Sequence, residues 1–193
     1  MIRVIFGSAV ASVAMFVISL IFFGPLGLSN LGTRNVDDGQ AAAVQQALAA
    51  NLPRTGTYFV PEPGASAAQT VMYGQGPIAT IHYNTAGFPA TDPTALIGGL
   101  VFNFLVALTI GAALIGIDRR VPDFPSRARV AVLIAVAAAT FTRLGEPIYN
   151  HHDWGHFIYL FVADALALGA AGLILAYFLP VSRAGPEDAP TDV

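Results

Sequence analysis

The sequence predicts an all-α transmembrane protein, a four-helix membrane bundle with a small extracytoplasmic α+β insertion between its first and second helices. Three observations carry that expectation. The chain is 55% hydrophobic and only 11% charged, against the roughly 25% charged residues of an ordinary soluble domain. Four apolar runs follow one another, Val4–Leu28, Ala95–Ile117, Ala128–Thr142 with one further turn, and His156–Pro180, and about 20 such residues cross a hydrocarbon core of ~30 Å. Between the first and second runs lies a polar segment too long and too varied to be a connector. The chain thus divides into a first transmembrane helix at 1–28, an insertion at 29–95, three transmembrane helices within 96–180 and a flexible tail at 181–193.

The first run is longer than the ~7–15 residues of a signal-peptide core, and no small-residue cleavage site follows it, so it reads as an uncleaved anchor. Sidedness follows from arginine, because lysine is absent and all nine basic residues are arginines. Arg119, Arg120, Arg127 and Arg129 cluster in "DRRVPDFPSRAR" between the second and third helices, on the side shared by Arg3 and Arg183. The positive-inside rule makes that side, and both termini, cytoplasmic. Arg34, Arg54 and Arg143 fall on the other side, which in a Gram-negative cell is the periplasm. The localisation expected is therefore a bacterial inner membrane, with the lipid bilayer as first partner.

Within the insertion, "DDGQAAAVQQALAANLP" predicts a helix capped by Asp37 or Asp38 and closed at Asn51 and Pro53. "GTYFVPEP" and "PIATIHYN" predict short strands. By period-two alternation Tyr58 and Val60 share one strand face, expected to be buried, with Phe59 on the other. "GASAAQTVMYGQG" reads as a loop with at most a turn of helix. The tail "SRAGPEDAPTDV" is proline-rich and acidic, as mobile ends are.

This order of elements, with "LPRTGTYFVPEP", then "GPIA", then three helices with an aspartate in the last, resembles a family of small bacterial inner-membrane proteins. Leu52, Pro53, Gly56, Tyr58, Pro61, Gly76, Pro77 and Asp164 carry the likeness. It implies the architecture of nearly the whole chain and no activity. In that family the last outer turn is aromatic around an asparagine and a glycine; Asn150 and Gly155 match, while histidines take the place of much of the aromatic character.

Two groups of residues are candidates for chemistry. Counted at ~1.5 Å per residue, Ser19, Asn103, Thr140 and Asp164 form a polar belt about 7–13 Å below one membrane surface. An ionisable group at that depth faces the bundle and takes a partner. Side chains lean toward the N-terminus of their own helix, so Arg143 and Asp164 on antiparallel neighbours point at each other. The pair reads either as a packing device or as a proton or quinone-headgroup site. Glu146, three residues on, competes for the same guanidinium.

The second group is "EPIYNHHDWGHF". His152 and His156 are four apart, a spacing that puts two imidazoles on one helical face, and His151, Asp153 and Glu146 are near enough in sequence to complete a copper or zinc shell. The same residues read more simply as a hydrated interhelical turn with Asn150 and Asp153 as turn and cap residues and Tyr149 and Trp154 as an aromatic belt. His82 in a strand reads as a surface or packing residue rather than a ligand. Absent cysteine removes thiolate sites and disulfides, and a net charge of -3 without a basic patch gives no sign of nucleic-acid binding. Small residues recur four apart in every long helix, Ala131/Ala135/Ala139 and Ala163/Ala167/Ala171 among them, and such stripes allow close backbone approach. With no complete catalytic constellation and much packing surface, the reading is a non-catalytic accessory or assembly subunit that meets other membrane subunits, no cofactor being expected. A periplasmic-side copper or zinc protein or enzyme and a small transporter are the alternatives.

Overall fold

The computed structural model describes residues 2–24 and 28–180. Arg183 and the tail from 181 onward lie outside the described residues, as do residues 25–27 in the first apolar run. The chain forms two compact units, residues 35–92 and the remainder.

The larger unit carries four helices long and apolar enough to cross a membrane. They are α1 (Ile2–Phe23), α5 (Pro93–Gly116), a third span built from α6 (Phe124–Ala139), a π-helical turn (Thr140–Leu144) and α7 (Gly145–Asn150), and α8 (Trp154–Phe178). A short α2 (Ser29–Gly32) belongs to this unit too. At the centre, α8 packs on α1, α5 and α6, and α1 packs on α5, while α5 and α6 scarcely meet.

Glycine sets the crossings. A Cβ on Gly172 would stand 2.7 Å from that of Ala131, so the glycine lets α8 and α6 touch backbone to side chain. One on Gly111 would stand 2.8 Å from Val4 Cγ1 where α5 meets α1, and one on Gly7 would stand 3.0 Å from Phe178 Cβ where α1 meets α8. The core that results is made of small residues, with Ala11, Ala107, Ala139 and Ala171 fully buried around Met15, Leu114 and Leu175. Lipid supplies no hydrophobic drive between helices, so close contact of this kind holds them.

The third span differs from the sequence expectation at both ends. It starts at Phe124, four residues before Ala128, because Asp123 is its N-cap and accepts hydrogen bonds from Ser126 N at 2.9 Å and Ser126 Oγ at 2.8 Å. Those bonds hold the Asp123 carboxyl below the usual carboxylate range. It runs on to Asn150 through the π turn. Pro147 explains the interruption, since its ring crowds the carbonyl four residues back, at Arg143, inside the π turn.

The smaller unit contains α3 (Asp38–Asn51), β1 (Gly56–Val60), α4 (Ala67–Gln75) and β2 (Ala79–Tyr83). The strands pair antiparallel as a two-stranded sheet with Tyr58 opposite Ile81. Asp37 and Gln40 cap α3 reciprocally. The loop expected after Pro63 is instead a nine-residue helix, α4, whose start is set by Ser66 Oγ accepting from Gln69 N at 3.1 Å. Tyr58 is half-buried, but Val60 and Phe59 are exposed on opposite faces, so the strand has no buried side. A two-stranded ribbon without a third strand or a covering helix has nothing to bury a face against.

Candidate functional site

Arg143 and Asp164 stand together. Arg143 lies in the π turn and Asp164 midway along α8, and Arg143 Nε donates to Asp164 Oδ2 at 2.6 Å. The pair is not sealed. The side chains remain 36% and 29% exposed, so part of a charge-assisted pair faces outward from a span that by composition belongs in a bilayer. A guanidinium carries five N–H donors, and this ion pair uses one of them.

Glu146 does not share that guanidinium. One turn further on, its Oε2 accepts from Asn150 Nδ2 at 2.8 Å and lies 3.3 Å from His152 Nδ1. The π turn offsets the phase between positions 143 and 146, which regular three-apart spacing had aligned. Nor do the belt residues join the pair: Ser19 and Asn103 are half-buried, Thr140 is exposed, and among the described residues no hydrogen bond links them to it.

The histidines diverge. His151 ends α7 in the left-handed region at φ 56° and reverses the chain, a conformation that histidine tolerates better than most residues. His152 precedes the N-cap Asp153, so it shares no helical face with His156, the third residue of α8. The aromatic ring of Phe157 lies between them, stacked on His152 at 5.3 Å and edge-on to His156 at 5.2 Å. Among the described residues no three of His, Asp or Glu stand together as a metal-holding group. His82 pairs across the sheet, its Nδ1 3.0 Å from Thr57 Oγ1.

His156 and Tyr159 have structural partners that spacing did not reveal. His156 Nδ1 lies 2.6 Å from the Gly32 carbonyl, and Tyr159 OH donates to the Phe22 carbonyl while its ring packs on Phe22 and Phe23. Carbonyls in the last turn of a helix lack an intrahelical donor, so α8 supplies donors to the ends of α1 and α2. Gly32 is glycine because the Tyr159 ring occupies the place of its Cβ.

At the opposite end of the third span, Arg127 is 1% exposed. Its Nε donates to Val121 O at 2.8 Å, and one Nη donates to Leu179 O at 3.2 Å and Pro180 O at 2.9 Å. A guanidinium thus closes the C-terminal end of α8, where the helix dipole is negative. The sequence counted Arg127 as a loop charge. The signal that corrects this is "DFPSR": aspartate as N-cap with proline two residues later starts a helix there, and Arg127 falls in its first turn.

These spans and the polar residues between them define a multi-pass helical membrane protein. Comparison with family models, with curated proteins and with solved structures gives no match.

Proposed function

We propose that the chain is a non-catalytic accessory or assembly subunit of a larger complex in a bacterial inner membrane, with both termini cytoplasmic and residues 35–92 exported. The observation that carries this reading is the make-up of the 35–92 unit. It has regular elements, closed caps and paired strands, yet none of its residues is buried. Val44 is 56% exposed, Phe59 50% and Phe88 67%. A unit of this size, held by local hydrogen bonds and with no core, gains its stability from whatever covers its apolar side chains. The half-exposed Arg143–Asp164 pair supports the same reading from within the bundle, because hydrocarbon offers no acceptor for the remaining guanidinium protons. The arginine-rich connection between α5 and α6 supports the orientation.

Native mass spectrometry after extraction in mild detergents tests the proposal. A stable species larger than the 20.1 kDa chain, containing other membrane proteins, is expected. Recovery as a free monomer under every mild condition contradicts it.

A further inference from the structure

We propose that the cleft between α5 and α6 holds one acyl chain of an anionic phospholipid whose phosphate rests against Arg119 and Arg120. This goes beyond subunit docking and does not depend on it.

The cleft exists because α5 and α6 are both held by other helices and scarcely touch each other. Its volume is about 290 Å³, bounded on α5 from Val106 to Ile117, on α6 from Val130 to Ala138, and floored by Leu168 of α8. Thr109 is the one hydroxyl residue in the lining, and its Oγ1 already donates to Leu105 O at 3.0 Å, so the cleft asks for no polar ligand atom.

Size and length select the occupant. At about 30 Å³ for a water-sized group, and a methylene is of similar size, the cleft takes roughly ten methylenes. From Val106 to Ile117 it runs about 16 Å at ~1.5 Å per residue, which matches the ~15 Å of a single leaflet.

Charge selects the headgroup. Ile117 ends the cleft, and the turn that follows is closed by Arg120 N donating to Ile117 O at 2.9 Å, which keeps Arg119 and Arg120 within one turn of the mouth. Both arginines are exposed. Asp123, the more distant carboxylate in the connection, is engaged by Ser126. The turn beside Ile117 thus carries two arginines and one carboxylate, Asp118, in the sequence Asp118–Arg119–Arg120. A basic mouth over an apolar cleft is the arrangement that takes a phosphodiester above an acyl tail.

The test uses the full chain in mild detergent, offered phosphatidylglycerol or phosphatidylcholine with identical tails and read by native mass spectrometry. Wild type is expected to keep one phosphatidylglycerol, with a preference over phosphatidylcholine of about tenfold. Arg119→Gln/Arg120→Gln, both at exposed positions, should lower that preference to near unity. Ala113→Phe, which fills the cleft from α5, should abolish retention of both lipids with the circular dichroism spectrum unchanged. Equal retention of the two lipids by wild type overturns the proposal, as does a preference that survives the double substitution. Lipid retention that survives Ala113→Phe while a co-extracted protein is lost also overturns it and assigns the cleft to a partner's side chains.

Discussion

The bundle and the 35–92 unit use similar small side chains to opposite ends. In the bundle, alanines at 11, 107, 139 and 171 are wholly buried, and glycines at 7, 111 and 172 let the same helices approach closely. In the smaller unit, α3 is equally rich in alanine, yet none of its residues is buried and its shape comes from an Asp37–Gln40 cap and a bond from Asn51 Nδ2 to Ala47 O. Alanine makes a core only where another surface closes on it. The bundle supplies that surface internally, whereas the smaller unit does not. One region buries its own small side chains and the other leaves them exposed.

If that contrast is right, substitutions in the bundle damage the isolated chain. The largest effect belongs to Arg127→Gln, which removes charged donors from the carbonyls of Val121, Leu179 and Pro180 in a buried site. A loss of about 3–5 kcal/mol is expected, measured as a fall in thermal stability in detergent. A shift within ordinary surface scatter would remove Arg127 from the account.

The ion pair comes next: it lies toward one end of its span, and either single substitution leaves one unpaired charge there. Asp164→Asn and Arg143→Gln should each cost about 1–3 kcal/mol, the ~2.5–3.5 of an unpaired charge at the membrane centre falling toward its edge. The double variant should recover part of the loss. Strict additivity in that cycle would show that the two charges do not act as a unit.

Close packing is tested by two glycines on α8. Gly172→Ala sets a methyl against Ala131 and should destabilise by about 1–2 kcal/mol. Gly169→Ala meets open space and, through better helix propensity, should be neutral or stabilising by up to about 1 kcal/mol. Equal responses at the two positions would mean that the α6–α8 contact does not limit stability.

Much of this was legible in the chain. The four spans follow from length and apolarity alone, and the cap at Asp37 and the strands at 56–60 and 79–83 follow local rules, whereas apolarity passes over the cap at Asp123, which starts the third span four residues early. What the chain did not disclose depends on backbone phase and on partners distant in sequence. Spacing put His152 and His156 on one face, but Asp153 starts a new helix between them. It aligned Glu146 with Arg143, but Pro147 forces a π turn that offsets them. The bonds from α8 to the carbonyls of Phe22 and Gly32 span more than a hundred residues, and no local pattern encodes them.

The central claim, that the 35–92 unit is completed by a partner, is tested most directly by hydrogen exchange in native membranes and in the purified monomer. Amides of α3, β1, α4 and β2 should be protected in membranes and exchange at least tenfold faster in the monomer, while those of α1 and α8 stay protected in both. Phe59→Ser/Phe88→Ser should leave the monomer pattern unchanged, because neither side chain is buried there, and should abolish the protection seen in membranes. Equal, strong protection of the 35–92 unit in monomer and membrane would contradict the account.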